Sequence, residues 1–145
     1  MKYRFIDAVV SHDLGASPCI EVRKTFAPGD DAFSGPSGPR QVPESLLLEL
    51  MAMTGGRLIF RQLDATRLPV LLKVPECRFE RPVGPDVQLN ARAELVGISP
   101  DADLARIAET RTEVYANGAR VASARLLYVC VRLPGLELGL AGEPG

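Results

Sequence analysis

Several things are scarce in this sequence. Charge of one sign is missing: 17 Lys plus Arg stand against 18 Asp plus Glu. The chain therefore has no basic footprint for phosphate backbones or anionic membranes, and nucleic acid is not an expected partner. Long apolar runs are missing as well. The longest, Leu46 to Met53, is interrupted by Glu49 and falls well short of the roughly 20 residues of a bilayer span. Cysteine is sparse: Cys19, Cys77 and Cys130 are widely spaced and form no C-x-x-C, which suggests neither a disulfide framework nor a zinc knuckle. Each lies in an apolar or alternating segment and reads as a reduced, structural thiol, so the cytoplasm is the expected compartment. The N-terminal "MKYRFIDAVVSHD" carries acids, a histidine and no small-residue cleavage site, and no signal peptide is expected. Histidine is nearly absent, His12 being the only one.

What remains is 145 residues, 46% of them hydrophobic and 24% charged, enough apolar material for one globular domain with a single core. Residues 3–10 and 18–26 carry β-branched and aromatic residues in short runs separated by the turn material "SHDLGAS", which predicts two strands. From Ala27 to Pro43 the composition shifts to Pro, Gly, Ser and Asp, a connection long enough to be functional or to wrap the body of the domain. Glu44 to about Leu63 is rich in Leu, Met and Ala and follows Pro43, where a helix can begin. One helix of about 30 Å follows. Its first ten residues are apolar on nearly every side, which predicts a helix enclosed by other structure, and Gly55 with Gly56 offers close packing or a local bend. Beyond it "LPVLLKVPECRFERPV", "DVQLNARAELVGIS", "LARIAETRTEVYA" and "ARVASARLLYVCVRL" read as four strands of a meander. "ANGA" supplies the Asn-Gly hairpin signal and "SPDAD" joins the preceding pair. The expectation is one domain over residues 1–134 and a flexible tail over 135–145, in the α+β class, with an antiparallel sheet wrapped around one long central helix.

Four stretches carry a more specific resemblance: "FIDAVV" at 5–10, "PESLLLELMAM" from Pro43, "CRFERPVGPDVQLNARAEL" at 77–95 and "VYANGARVASA" at 114–124. In this order and spacing they resemble the 3-hydroxyacyl-acyl carrier protein dehydratases of the FabZ/FabA type. The second is similar to that family's "PGVLxxEAMAQ" helix start and the third to its "ARFKRPVxPGDxLxLxxEL". The resemblance covers residues 3 to about 132 and implies the hotdog fold. It places Glu49 on the family's catalytic acid, which works with a histidine from a loop "GHFPxxPxxPG" of the other subunit. Here that position falls on Gly35, counting back from Pro43, or on Pro36, anchoring on "FSGP". His12 lies more than twenty residues away and is expected to be a solvated turn histidine. Glu44 stands where the family has a glycine near the backbone donor for the thioester carbonyl. The resemblance further implies a homodimer paired through "RLPVLLKVPE", with two tunnels at the interface and higher oligomers left open. Its substrate would be carried on the phosphopantetheine of acyl carrier protein or coenzyme A, with no cofactor of the protein's own.

Loss of water from a 3-hydroxyacyl thioester needs a base for the α-proton, an acid for the leaving hydroxyl and donors for the developing oxyanion. On a helix Glu49 faces Ser45, Leu46, Ala52 and Met53; enclosed there, desolvation would favour its neutral form. Ser45 and Thr54 either donate to a substrate or satisfy the helix backbone. Arg40, in the loop expected to border the tunnel, could meet a phosphopantetheine phosphate, whereas Arg81 reads as a structural edge charge. The candidate set is Glu49 as catalytic residue with Gly35, Pro36, Arg40, Glu44, Ser45 and Met53 as substrate-binding. Three functions stay open: a dehydratase-like enzyme, a thioesterase using a lone helix carboxylate, and a non-catalytic subunit that binds acyl groups or carrier protein or pairs with an active partner.

Overall fold

The structure, a computed structural model, describes residues 6–27, 41–100 and 105–132. Six strands and one helix follow in the order β1 (Ala8–Asp13), β2 (Cys19–Thr25), α1 (Glu44–Gln62), β3 (Leu68–Phe79), β4 (Gln88–Ile98), β5 (Ala105–Ala116) and β6 (Ala119–Val131). The expectations placed on residues 28–40, on 101–104 and on the tail fall outside the described residues.

Pro43 sits just outside α1 with φ −55° and ψ 141°, and its carbonyl accepts from the Leu46 and Leu47 amides at 3.0 and 3.3 Å. Proline thus starts the helix without losing a needed donor. Glu44 in the first turn and Arg61 in the last complement the helix dipole. The helix stops where Asp64 and Ala65 turn to φ 52° and 58°.

All six strands form one antiparallel sheet ordered β1-β2-β4-β5-β6-β3. The β5–β6 turn has Asn117 at φ 52° and Gly118 at φ 79°, the positive pair that a two-residue hairpin requires. Two expectations are corrected. The four C-terminal strands do not run as one meander: β4, β5 and β6 do, whereas β3 crosses over and pairs with β6 on the far edge. The first strand also reaches Asp13, so "SHD" belongs to it rather than to the turn. As an edge strand, β1 is stitched to β2 alone and is exposed at all but one of its six positions, which leaves no alternation for a sequence to display.

On the inner face of the sheet, Ala91, Ala93, Ala108, Ala122 and Ala124 are exposed by 3% or less. These short side chains let α1 approach closely and seat Leu47, Leu50, Met51, Leu58 and Ile59, each exposed by no more than 2%. Contact is tightest at Gly55, where a Cβ would lie 2.6 Å from both Thr110 Oγ1 and Tyr128 Oη; the pair of glycines therefore serves close packing. Among the described residues no helix is long and apolar enough to cross a membrane.

Candidate functional site

The sheet covers one side of α1 and leaves the other open. Leu47, Leu50, Met51, Thr54, Gly55, Leu58 and Ile59 are buried, while Glu44, Ser45, Glu49 and Met53 are exposed, Met53 by 51%. Positions 45, 49 and 53 are spaced by four and form a strip along the helix. The expectation that the first half of the helix is enclosed all round is therefore corrected for the single chain. A one-layer sheet contacts one face only, and the burial on which a desolvated Glu49 depended is not supplied by the described residues. Glu49 makes no hydrogen bond or ion pair among the described residues.

The open strip runs beside the edge strand β3. Near one end Gly56 lies against Pro69, where a Cβ added to the glycine would sit 3.8 Å from Pro69 Cγ. Near the other, Cys77 lies close enough to Glu44 to feel its charge: burial, with that carboxylate second, pushes the Cys77 thiol up. Between them Leu71 and Leu72 are exposed by 39% and 57%. A carboxylate, a serine and a methionine on a helix thus adjoin an apolar strand whose outer edge has no strand partner among the described residues.

Of the other sequence candidates, Gly35, Pro36 and Arg40 lie outside the described residues. Thr54 is settled: its buried hydroxyl donates to the Leu50 carbonyl at 2.6 Å, the backbone-satisfying alternative. His12 is exposed on β1, with Nδ1 3.0 Å from Arg61 Nη1, so the unprotonated nitrogen accepts from the guanidinium. Arg61 follows Glu49 by twelve helical positions, about 18 Å, which keeps His12 away from Glu49 of the same chain. Burial, and secondarily the Arg57 charge, lowers the Arg61 pKa from its ordinary value.

One residue that sequence reasoning passed over is Tyr128. Its hydroxyl donates to the Ala52 carbonyl at 2.7 Å, and burial pushes its phenol well above the ordinary tyrosine range. This bond pins the helix one turn beyond Glu49. Alternation along the last strand points Tyr128 inward, but it does not say which turn of the helix the side chain meets.

No family model matches the chain. Solved structures match over most of its length. A putative thioesterase described as a phenylacetic acid degradation-related protein, from Ralstonia eutropha, is 22% identical, covers 84% of this chain and 83% of its own, and superposes with a TM-score of 0.67. A thioesterase from Haemophilus influenzae is 16% identical over 88% of this chain and 78% of its own, with a TM-score of 0.65. A dehydratase heterocomplex, ApeI:P, from Xenorhabdus doucetiae is 13% identical over 97% of this chain and 90% of its own, with a TM-score of 0.68. Likeness at these identities concerns architecture. The six-stranded antiparallel sheet around a single long helix is the hotdog fold, and this chain is a hotdog-fold protein.

Proposed function

We propose that this protein acts on acyl thioesters in the manner of a FabZ-like 3-hydroxyacyl-acyl carrier protein dehydratase, with Glu49 as the proton-carrying group. The observation that carries this reading is the position of Glu49, a carboxylate in an apolar helix segment, on the strip that the sheet leaves open beside an apolar edge strand with no outer partner among the described residues. A twelve-residue edge strand with Leu71 and Leu72 exposed is a poor ending for a sheet in water. A second copy paired along β3 covers it and walls the strip holding Ser45, Glu49 and Met53, turning an open face into a channel. The acyl group arrives there on the phosphopantetheine of acyl carrier protein or coenzyme A, in the cytoplasm.

Water loss needs two proton-transfer roles, and Gly35 or Pro36 at the position of the family's histidine fills neither. Purified protein incubated with 3-hydroxyacyl thioesters is expected to eliminate water, and Glu49→Gln to stop doing so. Release of free thiol from plain acyl thioesters instead would assign hydrolysis by the lone carboxylate. No turnover of either substrate by the wild type removes the catalytic reading.

That missing histidine supports a second reading, in which the chain binds acyl groups or pairs with an active hotdog subunit; one of the similar structures is itself a dehydratase heterocomplex. Its signature is acyl-thioester binding without turnover, or co-purification with a second hotdog protein, and absence of both ends it.

A further inference from the structure

The outer face of the sheet, turned away from α1, carries two rows of charge in register across β4, β5, β6 and β3. One row is Glu94, Arg111, Arg125, Glu76; the next is Arg92, Glu113, Ser123, Arg78. Most of the arginines are tied by carboxylates. Arg78 pairs with Glu76 at 3.0 Å, Arg120 with Glu80 and Glu113 at 2.8 Å each, and Arg125 with Glu109 at 3.1 Å. Arg111 makes no ion pair among the described residues, and it lies directly opposite Arg125, a like-charge arrangement that costs stability across a strand pair.

Beside this pair the row is interrupted by a short side chain. Ser123 stands opposite Arg78 on one side and Glu113 on the other, and above it opens a hollow of about 240 Å³ whose charged lining is Arg78, Arg111, Arg120, Arg125, Glu76 and Glu113. Glu80 and Glu109, paired with Arg120 and Arg125, bring the carboxylates around the hollow to four against its four arginines, and Arg111 is the arginine left without an ion pair among the described residues.

We propose that this hollow binds a small phosphorylated ligand, with a phosphate or diphosphate group seated over Ser123 between Arg111 and Arg125. Guanidinium forks match phosphate oxygens two at a time, and the Ser123 hydroxyl adds a donor. An anion there offsets the repulsion between Arg111 and Arg125. The surrounding ion pairs already hold the guanidiniums of Arg78, Arg120 and Arg125, so little ordering is left for binding to impose. Glu76 and Glu113 restrict the site to a compact ligand. Because the hollow lies across the sheet from Glu49, its occupancy is independent of the acyl-thioester face.

Titration calorimetry on the full chain tests this with pyrophosphate in one arm and ADP in the other. Saturable binding of at least one is expected at about 50 mM salt, weakening steeply toward about 200 mM. Binding falls about tenfold or more in Arg111→Gln and is lost in Ser123→Glu, which puts a carboxylate into the hollow. Equal binding of both assigns a free oligophosphate, and tighter ADP binding a nucleotide-linked one. The proposal is overturned if neither anion binds the wild type, or if Arg111→Gln and Ser123→Glu, shown folded by circular dichroism, bind as the wild type does.

Discussion

The two sides of α1 are built from similar residue types and meet different fates. Leu47, Leu50 and Met51 are exposed by 2% or less, whereas Met53, two residues further along, is exposed by 51%. On the first side every neighbour is fixed by the chain: alanines on the sheet set the distance, Gly55 admits Thr110 and Tyr128, and the Tyr128 hydroxyl holds the Ala52 carbonyl. On the second side stand Ser45 and Glu49 beside the exposed leucines of β3, with nothing of the sheet over them. Apolar composition drives a helix toward cover, but it does not specify that one chain supplies all of it. One side carries stability, and the other is the side on which the proposed chemistry and pairing rest.

Substitutions separate the two sides by size of effect. Leu50→Ala leaves a cavity at a fully buried position and is expected to cost about 2–5 kcal/mol, read as a lower urea midpoint. Gly55→Ala forces a methyl to within 2.6 Å of two side-chain oxygens and is expected to cost about 1–3 kcal/mol; a crystal structure of the variant should show α1 lifted from β5 and β6. Tyr128→Phe removes one buried hydrogen bond at about 1 kcal/mol, again measured by denaturant. On the open side, Leu72→Lys is expected to change the stability of the single chain by no more than about 0.5 kcal/mol, while sedimentation shifts from dimer to monomer. Glu49→Gln is expected to stay within the same stability limit, yet to lower thioester turnover by about 100-fold or more. Open-side losses equal to those on the buried side would erase the distinction.

The helix was legible because Pro43 marks its start and β-branched residues are nearly absent before Ile59. Likewise β4, β5 and β6 were legible from their alternation and from Asn117-Gly118. The place of β3 was not, since which strand it joins depends on a crossover between segments far apart in the chain, and local pattern carries no information about that. Edge strand β1 hid its C-terminal half because exposed strands need no period. Among the candidate residues, spacing on the helix puts Ser45, Glu49 and Met53 on one strip, and all three are exposed. Their exposure was misjudged because an all-round apolar composition states a need for cover without naming its source. Tyr128 went unseen as a helix anchor because its partner, Ala52, is 76 positions away.

The crossover of β3 also orders events at the ribosome. Leu68 pairs with Val131, so the strand emerges about sixty residues before the segment that completes its hydrogen bonds. At typical elongation rates that is a delay of several seconds, while the β4–β5–β6 hairpins close within microseconds of becoming available. The nascent chain therefore holds a leucine-rich strand without its hydrogen-bonding partner until β6 has emerged, an open edge of the kind that invites pairing with other chains.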